Sequence, residues 1–267
     1  VDGSSDDAFD PVNDQTVDVT NADNETAGFT VAETGGNTTV TEAGSTDTFT
    51  VVLTAQPASN VVLTVTSADT GESTVTSPLT FTNGNWDTPQ TVTVTGVDDN
   101  LVDGSQNSTI TISVDDGNSD NNFDPLPDQT VTATTTDNDT AGFTIVESGG
   151  STSVSEAGTT DTFTVVLNTQ PASNVVIQAS SSDAGEAQVG GPLTFTNGNW
   201  NTPQTFTITG RDDTIVDGDQ IAVFTVEVVD GSSDDAFDPV NDQTVDVTNA
   251  DNETAGFTVA ETGGNTT

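Results

Sequence analysis

The sequence contains no cysteine, methionine, histidine, tyrosine or lysine, and Arg211 is its one basic residue against 43 Asp and Glu. Without cysteine there can be no disulfide staple. If the chain works outside the cell, something else must stiffen it, and bound cations are the expected substitute. Without His, Cys, Lys or Tyr there is no activated nucleophile and no base poised near neutral pH, so catalysis is not expected. A carboxylate pair alone could cleave glycosides, but the end of a sandwich filled with metal would offer no substrate cleft. A net charge of −42 rules out tracking a phosphate backbone or lying on an anionic membrane. No signal peptide or membrane-spanning run is visible, which says nothing of any longer parent protein.

What the chain does have is repetition. Asp137-Asn138-Asp139-Thr140-Ala141-Gly142-Phe143 recurs, with Glu for the second Asp, from Asp23 to Phe29 and from Asp251 to Phe257. The spacing is 114 residues each time (137 − 23 and 251 − 137). Fixed self-similarity of this kind marks a tandem array. It predicts two full repeats, 26–139 and 140–253, flanked by the tail of a preceding repeat (1–25) and the head of a following one (254–267). Residues 1–39 are identical to 229–267, so the sequence reads as a window on a longer array in which two repeat types alternate.

Within each repeat, apolar residues alternate with Thr and Ser, the period-two pattern of half-buried strands, and no useful helical period occurs. In the first repeat the inward positions are Phe29 and Val31; Phe49, Val51 and Leu53; Val61, Leu63 and Val65; Leu79 and Phe81; Val92 and Val94; Ile110, Ile112 and Val114; and Val131 and Ala133. Threonine on the outer face suits a pleated surface because of its β-branch. Seven short strands in about 110 residues, separated by Gly, Pro, Asn and Asp, predict an all-β protein of tandem immunoglobulin-like seven-stranded antiparallel sandwiches. At about 3.3 Å per strand residue, each repeat should advance the array by roughly 35–50 Å.

Strand parity then places the acids. The first–second, third–fourth and fifth–sixth strand connections and the end of the seventh strand should share one pole. They carry Glu42; Asp69 and Glu72; Asp98, Asp99 and Asp103; and Asp137 and Asp139, with Glu156, Asp183, Glu186, Asp212, Asp213, Asp217, Asp251 and Glu253 in the second repeat. An acidic surface that merely confers solubility or salt tolerance would scatter such residues. Convergent hard oxygen donors without Cys or His point to calcium.

These residues resemble the Calx-beta domains, calcium-binding sandwiches of sodium–calcium exchangers and large bacterial surface proteins. The resemblance covers both repeats. It lies in the Glu of Val-Thr-Glu-Ala-Gly and Val-Ser-Glu-Ala-Gly, in Pro-Leu-Thr-Phe, in Asp-Asp-x-x-x-Asp, and in the terminal Asp-x-Asp/Glu before x-Ala-Gly-Phe. It implies calcium ligation by Glu42, Asp69, Asp98, Asp99, the Leu101 carbonyl, Asp103, Asp137 and Asp139. In the second repeat the matching set is Glu156, Asp183, Asp212, Asp213, the Ile215 carbonyl, Asp217, Asp251 and Glu253. The copy of the junction pair before the first repeat, Asp23 and Glu25, belongs with them. Gln106 and Gln220 stand where the family often has a further Glu, and Asn138 and Asn252 replace the middle acid of a triplet. These departures imply fewer ions or weaker binding, and roughly two to four Ca²⁺ per repeat are expected.

Three further motifs have ordinary structural explanations. Trp86 and Trp200, in the turn after the fourth strand, should pack at the domain junction rather than stack on a sugar, and the acidic loops before the seventh strand should be turns capped by Asx hydrogen bonds in preference to donors of a metal ligand across the junction. Asp116-Gly117-Asn118-Ser119-Asp120 begins like an EF-hand loop but lacks its sixth-position Gly and has Pro127 where the bidentate Glu belongs. The sequence thus reads as a calcium-stiffened stretch of an extracellular fibre or adhesin stalk on a bacterial cell surface, its partners being neighbouring repeats or identical chains in a filament. The alternative is a calcium-dependent module that binds host or matrix glycan or protein.

Overall fold

The computed structural model describes residues 13, 15–260 and 262. Each repeat folds into two sheets packed face to face. In the first repeat the strands are β1 (Phe29–Glu33), β2 (Thr38–Thr41), β3 (Thr46–Leu53), β4 (Val61–Ser67), β5 (Ser73–Val75), β6 (Leu79–Phe81), β7 (Gln90–Gly96), β8 (Gln106–Val114) and β9 (Gln129–Thr136). One sheet has the order β1-β3-β7-β5 and the other β2-β9-β8-β4-β6. The second repeat copies this with β10 (Phe143–Glu147), β11 (Thr152–Ser155), β12 (Thr160–Leu167), β13 (Val175–Ser181), β14 (Ala187–Val189), β15 (Leu193–Phe195), β16 (Gln204–Gly210), β17 (Gln220–Val228) and β18 (Gln243–Ala250). All pairings are antiparallel except β2 with β9 and β11 with β18.

The sequence predicts seven strands per repeat; the structure has nine segments because two of the seven change sheets. The first breaks at Gly35 and Gly36, which take φ of 80° and 90°, a left-handed backbone that glycine adopts without strain. Its second half, β2, then crosses to run parallel beside β9. The fourth strand divides likewise: β5 pairs with β7, and β6 pairs with β4. The short β5 offers only Val75 as an apolar residue, too little for alternation to reveal it.

Alternation does place the interior. Phe49, Val51, Leu63, Phe81, Val92, Val94, Ile110 and Ile112 are fully buried, as are Phe163, Val165, Ile177, Phe195 and Phe224. Each repeat has its own apolar cluster, one drawn from residues between Phe29 and Ala133, the other from residues between Phe143 and Val247. At about 25 cal/mol per Å² of apolar surface removed from water, these clusters are the main favourable contribution to each sandwich. Two large members escaped the sequence pattern: Phe123 and Phe237 lie in the acidic loops before β9 and β18, yet are 2 % and 0 % exposed. Trp86 and Trp200 correct another expectation. Each is half-buried against the core of its own repeat, and the Trp86 and Trp200 carbonyls accept from the Leu53 and Leu167 amides.

The partial repeats expected at the two ends, 1–25 and 254–267, fall partly outside the described residues. Residues 15–25 and 254–260 form no strand, and Val17, Val19, Phe257 and Val259 are largely exposed. No helix among the described residues is long and apolar enough to cross a membrane.

Candidate metal centre

The backbone first explains how the acids come together. Gly96 and Gly210 end β7 and β16 where the two sheets nearly touch; a β-carbon there would run into the Thr41 or Ser155 carbonyl oxygen. β2 ends at this contact, and the next residue, Glu42, lies at the pole. The Glu42 amide donates to the Thr136 carbonyl at 3.2 Å, tying it to the end of β9. Glu156 is held in the same way by the Ala250 carbonyl at 3.1 Å. Glu42 and Glu156 are each 1 % exposed, among the most deeply buried acids in the chain.

Around Glu42 the carboxylates form two overlapping groups. Glu42, Asp137 and Asp139 bring one oxygen each within 4.8 Å of one another, and so do Glu42, Glu72 and Asp103. In the second repeat the groups are Glu156, Asp212 and Glu253, and Glu186, Asp213 and Asp217. Backbone amides hold several of these side chains in place. Asp137 accepts from Gly104 at 2.8 Å and Asp139 at 2.6 Å, Glu42 accepts from Asn138 at 3.1 Å, and Asp99 accepts from Leu101 at 2.7 Å. The second repeat reproduces them at Asp251, Glu156 and Asp213.

The first pole has no basic side chain, and neither pole has enough donors. Glu72 Oε2, Asp139 Oδ2 and Glu253 Oε2 are buried without a hydrogen-bond partner among the described residues. A buried oxygen anion left unpaired is costly. Burial first, then the charges of Asp103, Glu42, Asp99 and Asp69, push the Glu72 carboxyl up to about 7. Burial also raises Glu42, Asp103 and Asp139, with Asp99 adding repulsion to each. Glu253 is pushed up to about 7, chiefly by its hydrogen bond with Glu156. Such a constellation suits a divalent cation bound through oxygen: the donors are hard, anionic, convergent and short of partners.

The predicted residues divide as follows. Glu42, Asp103, Asp137, Asp139, Glu156, Asp212, Asp213, Asp217 and Glu253 are brought together in these groups. Asp98 lies at their edge, accepting from the Asn138 side chain at 3.0 Å, and Asp99 is near enough to act on the raised acids. Asp251 is occupied by the amides of Gly218 and Glu253. Asp69 and Asp183 are exposed and engaged in local turns, accepting from Gly71 and Gly185 at 3.0 and 2.8 Å. Asp23 and Glu25 are exposed, with the Glu25 amide on Asp23 at 3.3 Å. Leu101 forms a β-bridge to Gln170 in the next repeat, whereas Ile215 is 59 % exposed. Glu72 and Glu186 fell outside the predicted ligand set although the loop assignment placed them at this pole. At 8 % and 9 % exposed they sit deeper than the Asp69 and Asp183 preferred to them, because β5 and β14 begin immediately after them and draw them under the loop. In the second repeat the one basic residue, Arg211, immediately precedes Asp212, and its amide donates to the Glu186 carbonyl at 2.8 Å.

At the opposite pole, the acids before β9 and β18 serve the fold. Asp120 accepts from the Ala58, Ser59 and Asn122 amides at 2.8, 3.0 and 3.0 Å, and these bonds hold its carboxyl below the usual range. Asp234 accepts from the Ser173 and Ala236 amides in the same manner.

No family model matches the sequence, and the search of curated proteins finds no match. Similar solved structures include the calcium binding domain CBD12 of CALX1.1, at 15 % identity over 74 % of this chain and 79 % of that one, with a TM-score of 0.28. The S-layer protein rSbsC(31-844) is 14 % identical over 88 % of this chain and 29 % of its own, with a TM-score of 0.34. A protein of unknown function from Porphyromonas gingivalis W83 is 7 % identical over 83 % of this chain and 99 % of its own, with a TM-score of 0.29. At such scores and identities the likeness carries no conclusion about what this chain does.

Proposed function

We propose that this chain is a calcium-stiffened segment of an extracellular tandem array, a fibre or adhesin stalk at a bacterial cell surface, with no catalytic role. The observation that carries this reading is the set of buried carboxylate oxygens without partners at the first pole, Glu72 Oε2 and Asp139 Oδ2. A structural acid is normally satisfied, as Asp120 is. Glu42 belongs to both groups of its pole, so its carboxylate suits sharing between two ions, with Asp137 and Asp139 on one side and Glu72 and Asp103 on the other. Two to four ions per repeat remain our proposal, with Asp98, Asp99 and the Leu101 carbonyl as further oxygens.

Asp137 and Asp139 also begin the short link to Phe143 of β10, so the cation that neutralises the pole also clamps the connection. Metal-free, the acids repel each other and the repeats swing; with calcium they align. Calorimetric titration of the chelated chain with calcium, followed by small-angle scattering in each state, tests this. Saturable binding with a longer, narrower particle is expected. Absence of binding at millimolar calcium, or an unchanged rod after chelation, would refute it.

A further inference from the structure

The link between the two repeats is more than a tether. The β7–β8 loop of the first repeat lies against the β12–β13 loop of the second, and Leu101 and Gln170 form a parallel β-bridge. The Gln170 amide donates to the Asn100 carbonyl at 2.7 Å, and the Val102 amide donates to the Gln170 carbonyl at 3.2 Å. Beside this two-rung ladder sits Thr169, which is 2 % exposed. Its hydroxyl lies 2.7 Å from the Asn100 carbonyl and 3.2 Å from Asp139 Oδ1. One side chain of the second repeat therefore reaches both the loop and the linker acid of the first. Leu101 and Val102 are half-buried here.

The homologous positions before the first repeat are filled differently. Subtracting 114 from Thr169 gives Ala55, and from Asp139 gives Glu25. Alanine has no hydroxyl to offer, and glutamate is longer by one methylene. The two positions change together: Asp with Thr at one joint, Glu with Ala at the other.

We propose that Asp139 and Thr169 form a matched latch, an interface by which a repeat of the first type accepts a repeat of the second type without metal. A joint carrying Glu and Ala has no hydroxyl at this position and so lacks the side-chain latch. The surface on the first repeat is the Asn100–Val102 edge with Asp139, and the partner it fits is a β12–β13 loop that carries Thr169-Gln170. Alternation of the two repeat types then gives alternating joints, one with the Asp–Thr latch and one without it. This goes beyond the calcium reading, since it concerns the joint with calcium removed.

Amide hydrogen exchange on the full chain in excess chelator tests it. The Gln170 and Val102 amides should be protected, and Thr169→Ala should speed their exchange roughly five- to tenfold, the worth of one to two hydrogen bonds. Thr169→Ser should preserve protection, and Asp139→Glu with Thr169→Ala, which rebuilds the other joint, should not restore it. Amides of β12 and β16 report whether the second sandwich remains folded. Unprotected Gln170 in the wild-type chain without calcium would overturn the latch while leaving the calcium reading intact. Unchanged protection in Thr169→Ala, or equal loss in Thr169→Ser, would overturn the role of the hydroxyl.

Discussion

Replacing Glu72 by Gln should have opposite effects with and without calcium. The substitution keeps the shape of the side chain and removes its charge. In the metal-free protein that charge is a liability, since the carboxyl sits at about 7 against an ordinary 4.5 and Oε2 has no partner. At about 1.36 kcal/mol per tenfold, keeping the group ionised above pH 7 costs roughly 3 kcal/mol. Screening by water around the loop trims this to about 1–2 kcal/mol. Glu72→Gln should therefore raise the midpoint of the first repeat's thermal unfolding by roughly 5 °C in chelator at pH 8. At pH 4.5 the gain should shrink towards zero, because the wild-type carboxyl is then largely protonated. In saturating calcium the sign reverses: one anionic donor is lost, affinity falls on the order of tenfold, and the stabilisation gained from the ion shrinks accordingly. Calorimetry of wild type and variant in chelator and in calcium, at the two pH values, is the assay. A variant less stable than wild type in chelator at pH 8, or one with an undiminished calcium response, would refute the reasoning.

Two further outcomes follow from the same geometry. Glu72 holds its proton more tightly folded than unfolded, so its contribution favours the fold below about pH 4.5 and is lost as pH rises through about 7; the metal-free melting midpoint should fall across that window, and calcium should flatten the slope. Gly96→Ala should cost about 1–3 kcal/mol by forcing the Thr41 carbonyl aside, and because Glu42 follows Thr41, calcium titration should show weaker binding even where the variant is fully folded.

Much of this was legible in the residues. Alternation of Val, Ile, Leu and Phe with Thr is a period-two signal strong enough to place Phe49, Ile112 and Phe163 in the interior, and strand parity alone gathers the acids at one end. Three things were not legible, each for a physical reason. The sheet changes of the first and fourth strands depend on which neighbour offers free backbone groups, and β5 is too short for a pattern. The burial of Glu72 over Asp69 is decided by that same unseen strand. Phe123 and Phe237 lie among Asp, Asn and Pro, where composition suggests a solvated turn; only Asp120 and Asp234, pinning their loops to the one before β4 or β13, reveal that the turn folds inward.

The two repeats meet the same electrostatic problem by different means, and the difference lies beneath the pole. In the first repeat Ser73 and Ser108 are buried hydroxyls 2.6 Å apart, and the Thr135 hydroxyl donates to the Glu72 backbone carbonyl at 3.2 Å. None of these reaches the Glu72 carboxylate. In the second repeat the counterparts are Ala187, Ala222 and Asn249. With the serines gone there is room for the longer amide, and the Asn249 side chain donates to Glu186 Oε2 at 3.0 Å and to the Arg211 carbonyl at 3.1 Å. It thus satisfies the acid that in the first repeat is left bare and ties two loops of the pole together. Changing Ser73 and Ser108 to Ala and Thr135 to Asn should transplant this brace. The triple variant should stabilise the first repeat in chelator and reduce the increment that calcium adds, both visible in one pair of melting curves. If the increment stays as large as in wild type, the bare oxygen of Glu72 is not what calls for the ion, and the source of the first repeat's calcium response must be sought among Glu42, Asp137 and Asp139 instead.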